Sequence, residues 1–338
     1  MAPITILVSE SSRFPRTALH HLQSLGRVDL ADITDRRELL SKVRQADILW
    51  VRLRHSIDRE VMEAAPHLRA IASPTTGLNH IDIAEAQRRN IRVLSLRGET
   101  DFLRTIYATA EHTLALMLAL IRNLPAAARH ASDGEWNRDL FLGRELNGKT
   151  VGIVGYGRVG RMVAQYVSVF GARVLVTDPK AADESVDSQI EVTTLDHLLR
   201  SSDLVTLHVN LDETTKGFFG KREFSLMKPR AWFINTSRGE IIDEAALLDA
   251  LRVGHVAGAA LDVLSGENSG GMQHHPLVQY ARTHPNLLIT PHIGGCTVES
   301  TEKTEIFLAE QVVAFVNAGM EEALAHPVEA QVAEKERL

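Results

Sequence analysis

The sequence predicts an α/β protein of two doubly wound domains, each a parallel sheet with helices on both faces. Short apolar runs alternate with amphipathic, helix-like stretches along most of the 338 residues. Strands that alternate with helices in this way form parallel sheets. The chain is longer than one hydrophobic core usually supports, and the alternation restarts at a glycine-rich turn near residue 155. We therefore expect a second sheet to begin there.

The first alternating series occupies the first 95 residues. Its apolar runs predict strands at 4–8, 48–51, 68–72 and 91–94. Its amphipathic stretches predict helices near 16–25, 35–43, 58–64 and 81–89. A longer apolar run at 113–121 is too short to span a bilayer and indicates a buried helix.

The second series predicts six further strands, at 151–154, 173–177, 203–209, 230–235, 256–263 and 286–290. The tail at 298–315 is helical in pattern, and we expect it to return to the first domain. That domain is then discontinuous, with residues 1–121 and 297–338, and the second domain is 122–296.

The glycine-rich turn has the pattern of a dinucleotide site. An apolar run leads into Gly155, Gly157 and Gly160, and an apolar-periodic helix follows. The first glycine permits the tight turn, the second lets the backbone approach a pyrophosphate, and the third lets helix and strand pack closely. Asp178 ends the next strand, where a carboxylate accepts hydrogen bonds from a ribose and repels a 2′-phosphate. The pattern predicts a Rossmann domain that prefers NAD to NADP.

The composition is that of an ordinary globular protein. The net charge is −6 and no segment is a basic block, which argues against nucleic acid or an anionic membrane as a partner. The N-terminus lacks the features of a signal peptide, so we expect a cytoplasmic protein. The single cysteine, Cys296, excludes an intrachain disulfide and is expected to be a small buried residue. His274 and His275 lack a partner cluster, so we expect exposed loop residues and no metal.

Three ionisable residues follow predicted strands of the second sheet: Arg238, Glu267 and His292. Ligands of open α/β sheets bind beyond the carboxyl ends of the strands, so these side chains are expected to converge. Hydride transfer to a carbonyl needs a proton partner, and histidine titrates near neutral pH. A carboxylate beside it favours the imidazolium, and the planar arginine fork fits a substrate carboxylate. Each residue alone has an ordinary structural role as an alternative; together they indicate an active site.

The chain resembles the D-isomer-specific 2-hydroxyacid dehydrogenases over nearly its whole length. Besides the glycine turn, the resemblance is carried by Val51-Arg52, Gly77 to Asp82, Ala110-Glu111-His112-Thr113, Gly134-Glu135-Trp136, Gly148-Lys149-Thr150, Asn235-Thr236-Ser237-Arg238-Gly239, Leu261-Asp262-Val263 and Thr290-Pro291-His292-Ile293-Gly294-Gly295. It implies that His292 is the acid/base, that Glu267 holds it protonated, and that Arg238 binds the substrate.

The resemblance also implies further binding residues. Asp262 would receive the nicotinamide carboxamide, and Arg158 and Val159 would lie over the pyrophosphate. The backbone around Thr76 and Gly77 would hold the substrate carboxylate. It implies a flavodoxin-like substrate domain, a Rossmann NAD-binding domain and a homodimer. The segments at 95–105 and 268–276 depart from the family pattern, so substrate choice is least defined there.

The substrate is open between several alternatives. Arg52 matches an arginine that some phosphoglycerate-oxidising members use for the distal phosphate, and Arg54, Arg97 and Arg104 would add positive charge there. This favours 3-phosphoglycerate. Alternatively, these arginines form ion pairs with residues such as Asp47, Glu99 and Asp101, and the substrate is glyoxylate, hydroxypyruvate or another small 2-oxo acid. A different class of function is an NAD-sensing binding or corepressor protein on the same scaffold.

Overall fold

The structure, a computed structural model, describes residues 4–180, 190–267 and 270–325. Its contacts divide the chain into two units, one of Met1–Asp101 with Thr297–Leu338 and the other of Phe102–Cys296. Each has a parallel sheet with helices on both faces, so the predicted α/β class is confirmed. No helix in the described part of the chain is long and apolar enough to cross a membrane.

The first unit contains a sheet of five parallel strands in the order β2-β1-β3-β4-β5, which is the flavodoxin-like order. The strands are β1 (Ile4–Val8), β2 (Gly26–Leu30), β3 (Ile48–Trp50), β4 (Ala70–Ser73) and β5 (Arg92–Ser95). The helices are α1 (Arg16–Gln23), α2 (Arg36–Lys42), α3 (Arg59–Ala64) and α4 (Ile83–Arg88). The short helix α5 (Thr100–Leu103) follows β5 at the boundary with the second unit.

Each face of this sheet carries its own apolar core. Leu7 and Leu49 lie in one cluster, whereas their neighbours Ile6 and Ile48 lie in the other. This is the alternation that a strand imposes on its side chains. The long helix α13 (Val298–Ala325) packs on α1, β4 and β5, and it contributes to the apolar core with side chains at helical spacing, among them Leu308, Ala309, Val312 and Val316.

The described residues of the second unit form seven parallel strands in the order β12-β11-β10-β9-β6-β7-β8. They are β6 (Thr150–Val154), β7 (Arg173–Thr177), β8 (Ile190–Val192), β9 (Leu204–Leu207), β10 (Ala231–Asn235), β11 (Val256–Leu261) and β12 (Leu287–Ile289). The helices are α6 (Ala108–Ile121), α7 (Leu124–Ser132), α8 (Arg158–Val169), α9 (Leu195–Ser201), α10 (Lys221–Leu226), α11 (Glu244–Arg252) and α12 (Pro276–Ala281). The chain reverses its winding at β6, which creates the switch point of a Rossmann sheet.

Residues 102–121 belong to the second unit, although we expected them in the first domain. Helix α6 packs on α8 and on strands β10, β11 and β12. Its side chains Leu116, Met117 and Leu120 join the cluster that contains Ile153 and Ile234. The apolar run at 113–121 is thus a buried helix, as predicted, but it covers the second sheet.

Two strands were not predicted, and both lie at sheet edges. Strand β2 has the sequence Gly-Arg-Val-Asp-Leu, and no residue in it is fully buried. Strand β8 has three residues and is mostly exposed. An edge strand is hydrogen-bonded to a neighbour on one side only and is partly exposed to solvent. It therefore needs no continuous apolar run that would mark it in the sequence.

Asp203 joins two strands of the second sheet and gives a pH-dependent contribution to stability. Its carboxylate accepts a hydrogen bond from the Thr150 N–H (2.9 Å) and forms an ion pair with Lys228 Nζ (2.5 Å). Burial alone raises the pKa of Asp203, but Lys228 and the Thr150 N–H outweigh it and lower this pKa below its ordinary value. The carboxylate therefore stabilises the fold above the ordinary pKa, and this stabilisation is lost as the pH falls through the lowered value.

We expect Asp203→Asn to lower the free energy of unfolding by about 2 kcal/mol at pH 7, because a charged hydrogen-bond acceptor is lost. The difference from the unsubstituted protein should shrink as the pH falls below about 4, the ordinary aspartate pKa, towards the lowered pKa of Asp203 in the folded protein. Urea unfolding at neutral pH and over this acidic range measures this. Asp249→Asn is the control, because that carboxylate is exposed. A difference that stays constant with pH would contradict the assignment.

Candidate active site

The glycine turn connects β6 to α8 in a conformation that only glycine accommodates. Gly155 has a φ of +94°, in the left-handed region. A Cβ on Gly160 would lie 2.1 Å from the carbonyl oxygen of Gly155, so the helix approaches the strand as closely as the backbone allows. A Cβ on Gly157 would meet no atom within 4 Å. The space beside the N-terminus of α8 is therefore open to a ligand, and the residues fit a dinucleotide pyrophosphate.

Asp178 lies directly after β7 and is bonded to the same turn. One carboxylate oxygen accepts the Tyr156 N–H at 2.8 Å, and the other accepts the Lys180 N–H at 2.8 Å. Tyr156 stands between the first two glycines, so the carboxylate is fixed relative to them. Each oxygen can accept a second hydrogen bond, which leaves capacity for the hydroxyl groups of a ribose.

The side chain of Arg158 is bonded to backbone carbonyl groups of the same unit, and the role of Arg158 and Val159 at the pyrophosphate stays a prediction. Its Nη1 donates to the carbonyl oxygens of Ile106 (2.8 Å) and Leu103 (3.3 Å). Burial lowers the pKa of this guanidinium. The side chain therefore holds the backbone after α5. Arg158 and Val159 are the first two residues of α8, and the N–H groups of a first helical turn have no partner within the helix.

The structure brings Arg238, Glu267 and His292 together. Arg238 follows β10, Glu267 lies in the loop after β11, and His292 follows β12, three strands that are neighbours in the sheet. His292 Nδ1 is hydrogen-bonded to Glu267 Oε1. The charge of Glu267 also acts on Arg238. The convergence expected from the strand ends is therefore present.

The backbone of His292 orients its ring. The residue has a φ of +53°, which is uncommon for a residue with a side chain. Its N–H donates to the carbonyl oxygen of Asp262 at 2.8 Å and stabilises this conformation. Because Nδ1 is bonded to Glu267, Nε2 is the nitrogen available to a substrate. Glu267 is held in turn, since its other oxygen accepts the Leu264 N–H at 3.2 Å.

Arg238 is a half-buried cation beside this pair. Burial lowers its pKa, while Glu267 and Glu240 act in the opposite direction. The ordinary pKa of arginine is so high that the guanidinium stays charged at neutral pH. Its Nη1 donates to the Ser237 carbonyl at 2.6 Å, and Asn235 Nδ2 donates to the Arg238 carbonyl at 2.9 Å. The turn that presents the cation is therefore fixed on both sides.

Gly239 lies beside the site, in a contact that the amino-acid sequence does not reveal. A Cβ at this position would lie 2.1 Å from the carbonyl carbon of Leu264 and 2.1 Å from the nitrogen of Ser265. The turn after Arg238 thus packs directly on the backbone of the loop that carries Glu267. The motif 235–239 was visible in the sequence, but the partner of its glycine lies in another loop.

Asp262 is buried directly after β11, and its carboxylate accepts hydrogen bonds from Thr290 Oγ1 (2.6 Å), the Gly294 N–H (2.7 Å) and the Ile293 N–H (2.9 Å). His112 Nε2 is hydrogen-bonded to Thr290 Oγ1 (3.0 Å) and lies 3.2 Å from the same carboxylate. Burial alone raises the pKa of Asp262, but these hydrogen bonds outweigh it and lower the pKa. The carboxylate is therefore ionised at neutral pH. His112, seen in the sequence only as part of a motif, is one of its partners.

Two of the arginines considered for phosphate binding, Arg52 and Arg54, form ion pairs, and their partners are neither Asp47 nor Glu99. Arg52 Nε contacts Glu305 Oε1 at 2.6 Å, and Arg54 Nη1 contacts Asp32 Oδ1 at 2.7 Å. Two of the expected partners are bonded to other groups. Asp47 accepts a hydrogen bond from the Thr5 N–H, and Glu99 accepts one from Gln311 Nε2 at 2.9 Å. Glu305 lies on α13, and its side chain is only 1% exposed.

The loop that contains Thr76 and Gly77 is held by its own side chains. Thr75 Oγ1 donates to the Gly77 carbonyl at 2.8 Å. Ser73 Oγ lies 2.9 Å from Thr75 Oγ1 and 3.1 Å from His80 Nε2. Thr76 itself is exposed. The role of Thr76 and Gly77 in binding a substrate carboxylate stays a prediction.

Two expectations about single residues were wrong. Cys296 is exposed rather than buried. His274 is exposed, as expected, but His275 is largely buried, and its Nε2 lies 3.1 Å from Glu244 Oε2. Of the loop at 268–276, residues 268–269 lie outside the described part of the chain.

Comparison with known proteins identifies similar chains. Residues 114–294 match the family model described as "D-isomer specific 2-hydroxyacid dehydrogenase, NAD binding domain". A D-3-phosphoglycerate dehydrogenase of Mycobacterium tuberculosis is 37% identical over 282 residues, which are 83% of this chain and 51% of the relative. This chain thus spans about half the length of that protein.

Two further proteins are similar over most of their own length. A glyoxylate reductase of Thermofilum pendens is 37% identical over 298 residues, 86% of this chain and 84% of the relative. The crystal structure of a D-lactate dehydrogenase from Aquifex aeolicus, complexed with NAD and lactic acid, has a TM-score of 0.79 at 26% identity. That similarity covers 95% of this chain and 98% of the other.

The open space at Gly157 gives a test of the cofactor site. We expect Gly157→Ala to weaken NADH binding about tenfold or more, because the new methyl group occupies the space beside the N-terminus of α8. Thermal stability should hardly change, because the methyl group meets no protein atom. NADH fluorescence titration and a melting curve measure both. Gly160→Ala is the comparison, since it should destabilise the fold as well; unaltered NADH binding in Gly157→Ala would contradict the assignment.

Proposed function

The chain belongs to the D-isomer specific 2-hydroxyacid dehydrogenase family, and on that basis we propose that it interconverts a D-2-hydroxy acid and its 2-oxo acid with NAD as cofactor. The observation that carries the proposal is the hydrogen-bonded pair of Glu267 and His292, with the charge of Glu267 acting on the Arg238 guanidinium. The three side chains follow neighbouring parallel strands. A proton donor, its carboxylate and a cation are what reduction of a 2-oxo acid requires.

His292 moves the proton of the reaction. Bound NADH supplies the hydride to the carbonyl carbon. The carbonyl oxygen then gains the electron pair of the former π bond and takes a proton from Nε2 of His292. In the oxidising direction the same nitrogen accepts the hydroxyl proton. Glu267 receives the Nδ1 hydrogen bond and stabilises the imidazolium that protonation produces.

Arg238 orients the substrate. Its planar guanidinium matches a carboxylate in two parallel hydrogen bonds, which fixes a 2-oxo acid with its reacting carbon in one place. Glu240 and Glu267 partly offset its charge. The strong attraction between the guanidinium and an anionic substrate is what we expect to select acids over neutral carbonyl compounds.

The remaining residues bind the cofactor. Gly155, Gly157 and Gly160, with the backbone N–H groups of Arg158 and Val159, hold the pyrophosphate at the start of α8. Asp178 accepts hydrogen bonds from the adenosine ribose and repels the 2′-phosphate of NADP. The carboxylate of Asp262 receives the nicotinamide carboxamide.

Within this reaction class we infer an unphosphorylated 2-oxo acid. The prediction of 3-phosphoglycerate as substrate rests on Arg52 as the phosphate-binding residue. The Arg52 guanidinium is bonded to Glu305 and, through Nη1, to the Ser12 carbonyl at 2.9 Å. A buried carboxylate already compensates its charge, which weakens attraction for a dianionic phosphate. This supports glyoxylate, hydroxypyruvate or pyruvate, and 3-phosphoglycerate remains the alternative.

The proposal is tested by NADH oxidation with glyoxylate, hydroxypyruvate, pyruvate and 3-phosphohydroxypyruvate. We expect turnover to be fastest with an unphosphorylated acid. His292→Gln should reduce it about 1,000-fold, because the proton donor is lost, and leave NADH binding intact. His274→Gln is the control, as that histidine is exposed.

Other outcomes decide against parts of the proposal. Preference for the phosphorylated acid would assign Arg52 to phosphate binding. Unchanged turnover in His292→Gln would overturn the mechanism. Tight NADH binding without turnover of any acid would favour an NAD-sensing binding protein.

We further propose that the protein is a homodimer, in the cytoplasm as the sequence predicts. Helix α7 has no buried residue. Four large apolar side chains of this helix and the segment after it are exposed: Leu124 (51%), Leu140 (63%), Leu142 (90%) and Trp136 (91%). Apolar surface concentrated in one segment is typical of an interface, and a second copy of the chain would cover it symmetrically.

Light scattering of the purified protein tests the dimer. We expect twice the chain mass, and Trp136→Glu with Leu142→Glu should yield the monomer because two charges would be desolvated in the interface. Val169→Glu with Val253→Glu is the control, since both side chains are exposed outside this segment. A monomeric unsubstituted protein would contradict the proposal.

A further inference from the structure

A second histidine–carboxylate pair lies next to the catalytic one. Glu244 is the first residue of α11, and its Oε2 is 3.1 Å from His275 Nε2. Its Oε1 accepts the Ser265 N–H at 2.8 Å. The side chains of Glu244 and His275 are only 15% and 12% exposed. Neither takes part in the reaction proposed above.

The pair contacts both sides of the loop that carries Glu267. Ser265 is two residues before Glu267, and the intervening Gly266 has a φ of +70°, so the chain turns sharply there. His275 lies at the other side of the loop, next to the start of α12. The carboxylate of Glu244 is therefore bonded to the chain before and after Glu267.

A second contact with this loop comes from Gly239, in the turn after Arg238. Because Gly239 has no Cβ, this turn packs directly on the backbone of Leu264 and Ser265. The backbone before Glu267 is thus held between that turn and the Glu244 carboxylate. Glu267 adds one bond of its own, from the Leu264 N–H. Small movements of Ser265 would displace the Glu267 carboxylate relative to His292, and a displacement of about 1 Å costs much of the rate of a catalytic group.

We propose that Glu244 and His275 are positioning residues that hold Glu267 in contact with His292. Burial raises the pKa of Glu244, while the Ser265 N–H and His275 act against it. Glu240 is a further acid that acts on this carboxylate. Burying a carboxylate is costly unless it is hydrogen-bonded, and here both oxygens have partners that belong to the Glu267 loop. The inference rests on the proposed function only in that His292 is the acid/base.

The test compares Glu244→Gln and His275→Asn with a matched control, Glu223→Gln. Glu223 also lies in the first turn of a helix, is 12% exposed and accepts a backbone N–H, from Gly220 at 3.0 Å. The probe is the downfield proton NMR signal of His292 Nδ1–H, identified by its loss in Glu267→Gln and measured with NADH present. We expect it to exchange with water about tenfold faster in Glu244→Gln and His275→Asn, and to be unchanged in Glu223→Gln.

Steady-state kinetics give the second readout. In both positioning variants kcat should fall about tenfold, while KM for the 2-oxo acid stays within about twofold, because Arg238 still binds the substrate. A purely structural role would instead lower the melting temperature and leave the NMR signal and kcat of the folded fraction unchanged. That result in the two variants, or an equal effect in Glu223→Gln, would overturn the inference.

The two proposals fail in different ways. Lack of turnover in the unsubstituted protein would contradict the proposed function, while the NMR signal would still decide whether Glu244 and His275 position Glu267. If Glu244→Gln does not fold, His275→Asn decides alone, since it removes the other half of the same contact. Normal turnover with an unaltered signal in His275→Asn would then overturn the positioning role.

Discussion

The strands that the described residues form in the second sheet run in the same direction, and the candidate site depends on this constraint. The carboxyl ends of parallel strands lie at the same edge of the sheet. Residues that directly follow these strands therefore lie close together, even when they are far apart in the sequence. Arg238, Glu267 and His292 each follow one of three adjacent strands. The burial of both sheet faces supports this arrangement, because the alternate side chains of β10 pack into two different cores.

The same edge explains why two histidine–carboxylate pairs lie so close together. The loop after β11 is long and must satisfy its backbone groups away from the sheet. Glu267 and Glu244 each accept an N–H of this loop, and each is bonded to one histidine. The difference lies in where the second ring nitrogen points: His292 has Nε2 left for a substrate, whereas the remaining nitrogen of His275 is buried without a partner among the described residues.

Local patterns predicted much of this molecule. The glycine turn, Asp178 and the buried helix at 113–121 were recognisable because their signals lie within a few residues of one another. The three catalytic candidates were recognisable because each follows an apolar strand. The contacts of Arg52, Gly239 and His275 were not, because their partners Glu305, Ser265 and Glu244 lie in other parts of the chain and no local periodicity reports them. Edge strands β2 and β8 were missed because half-exposed strands need no apolar run.

The contact of Arg158 has a consequence for how this protein tolerates change. Its guanidinium bonds to two backbone carbonyl oxygens, those of Leu103 and Ile106. Every residue has a backbone carbonyl oxygen, so a substitution of Leu103 or Ile106 leaves the hydrogen-bond acceptor of Arg158 in place. An insertion or deletion between α5 and α6 would carry the acceptors out of reach. The contact of Arg158 therefore fixes the length of the chain from Leu103 to the start of α6, but it does not depend on which side chains stand at Leu103 and Ile106.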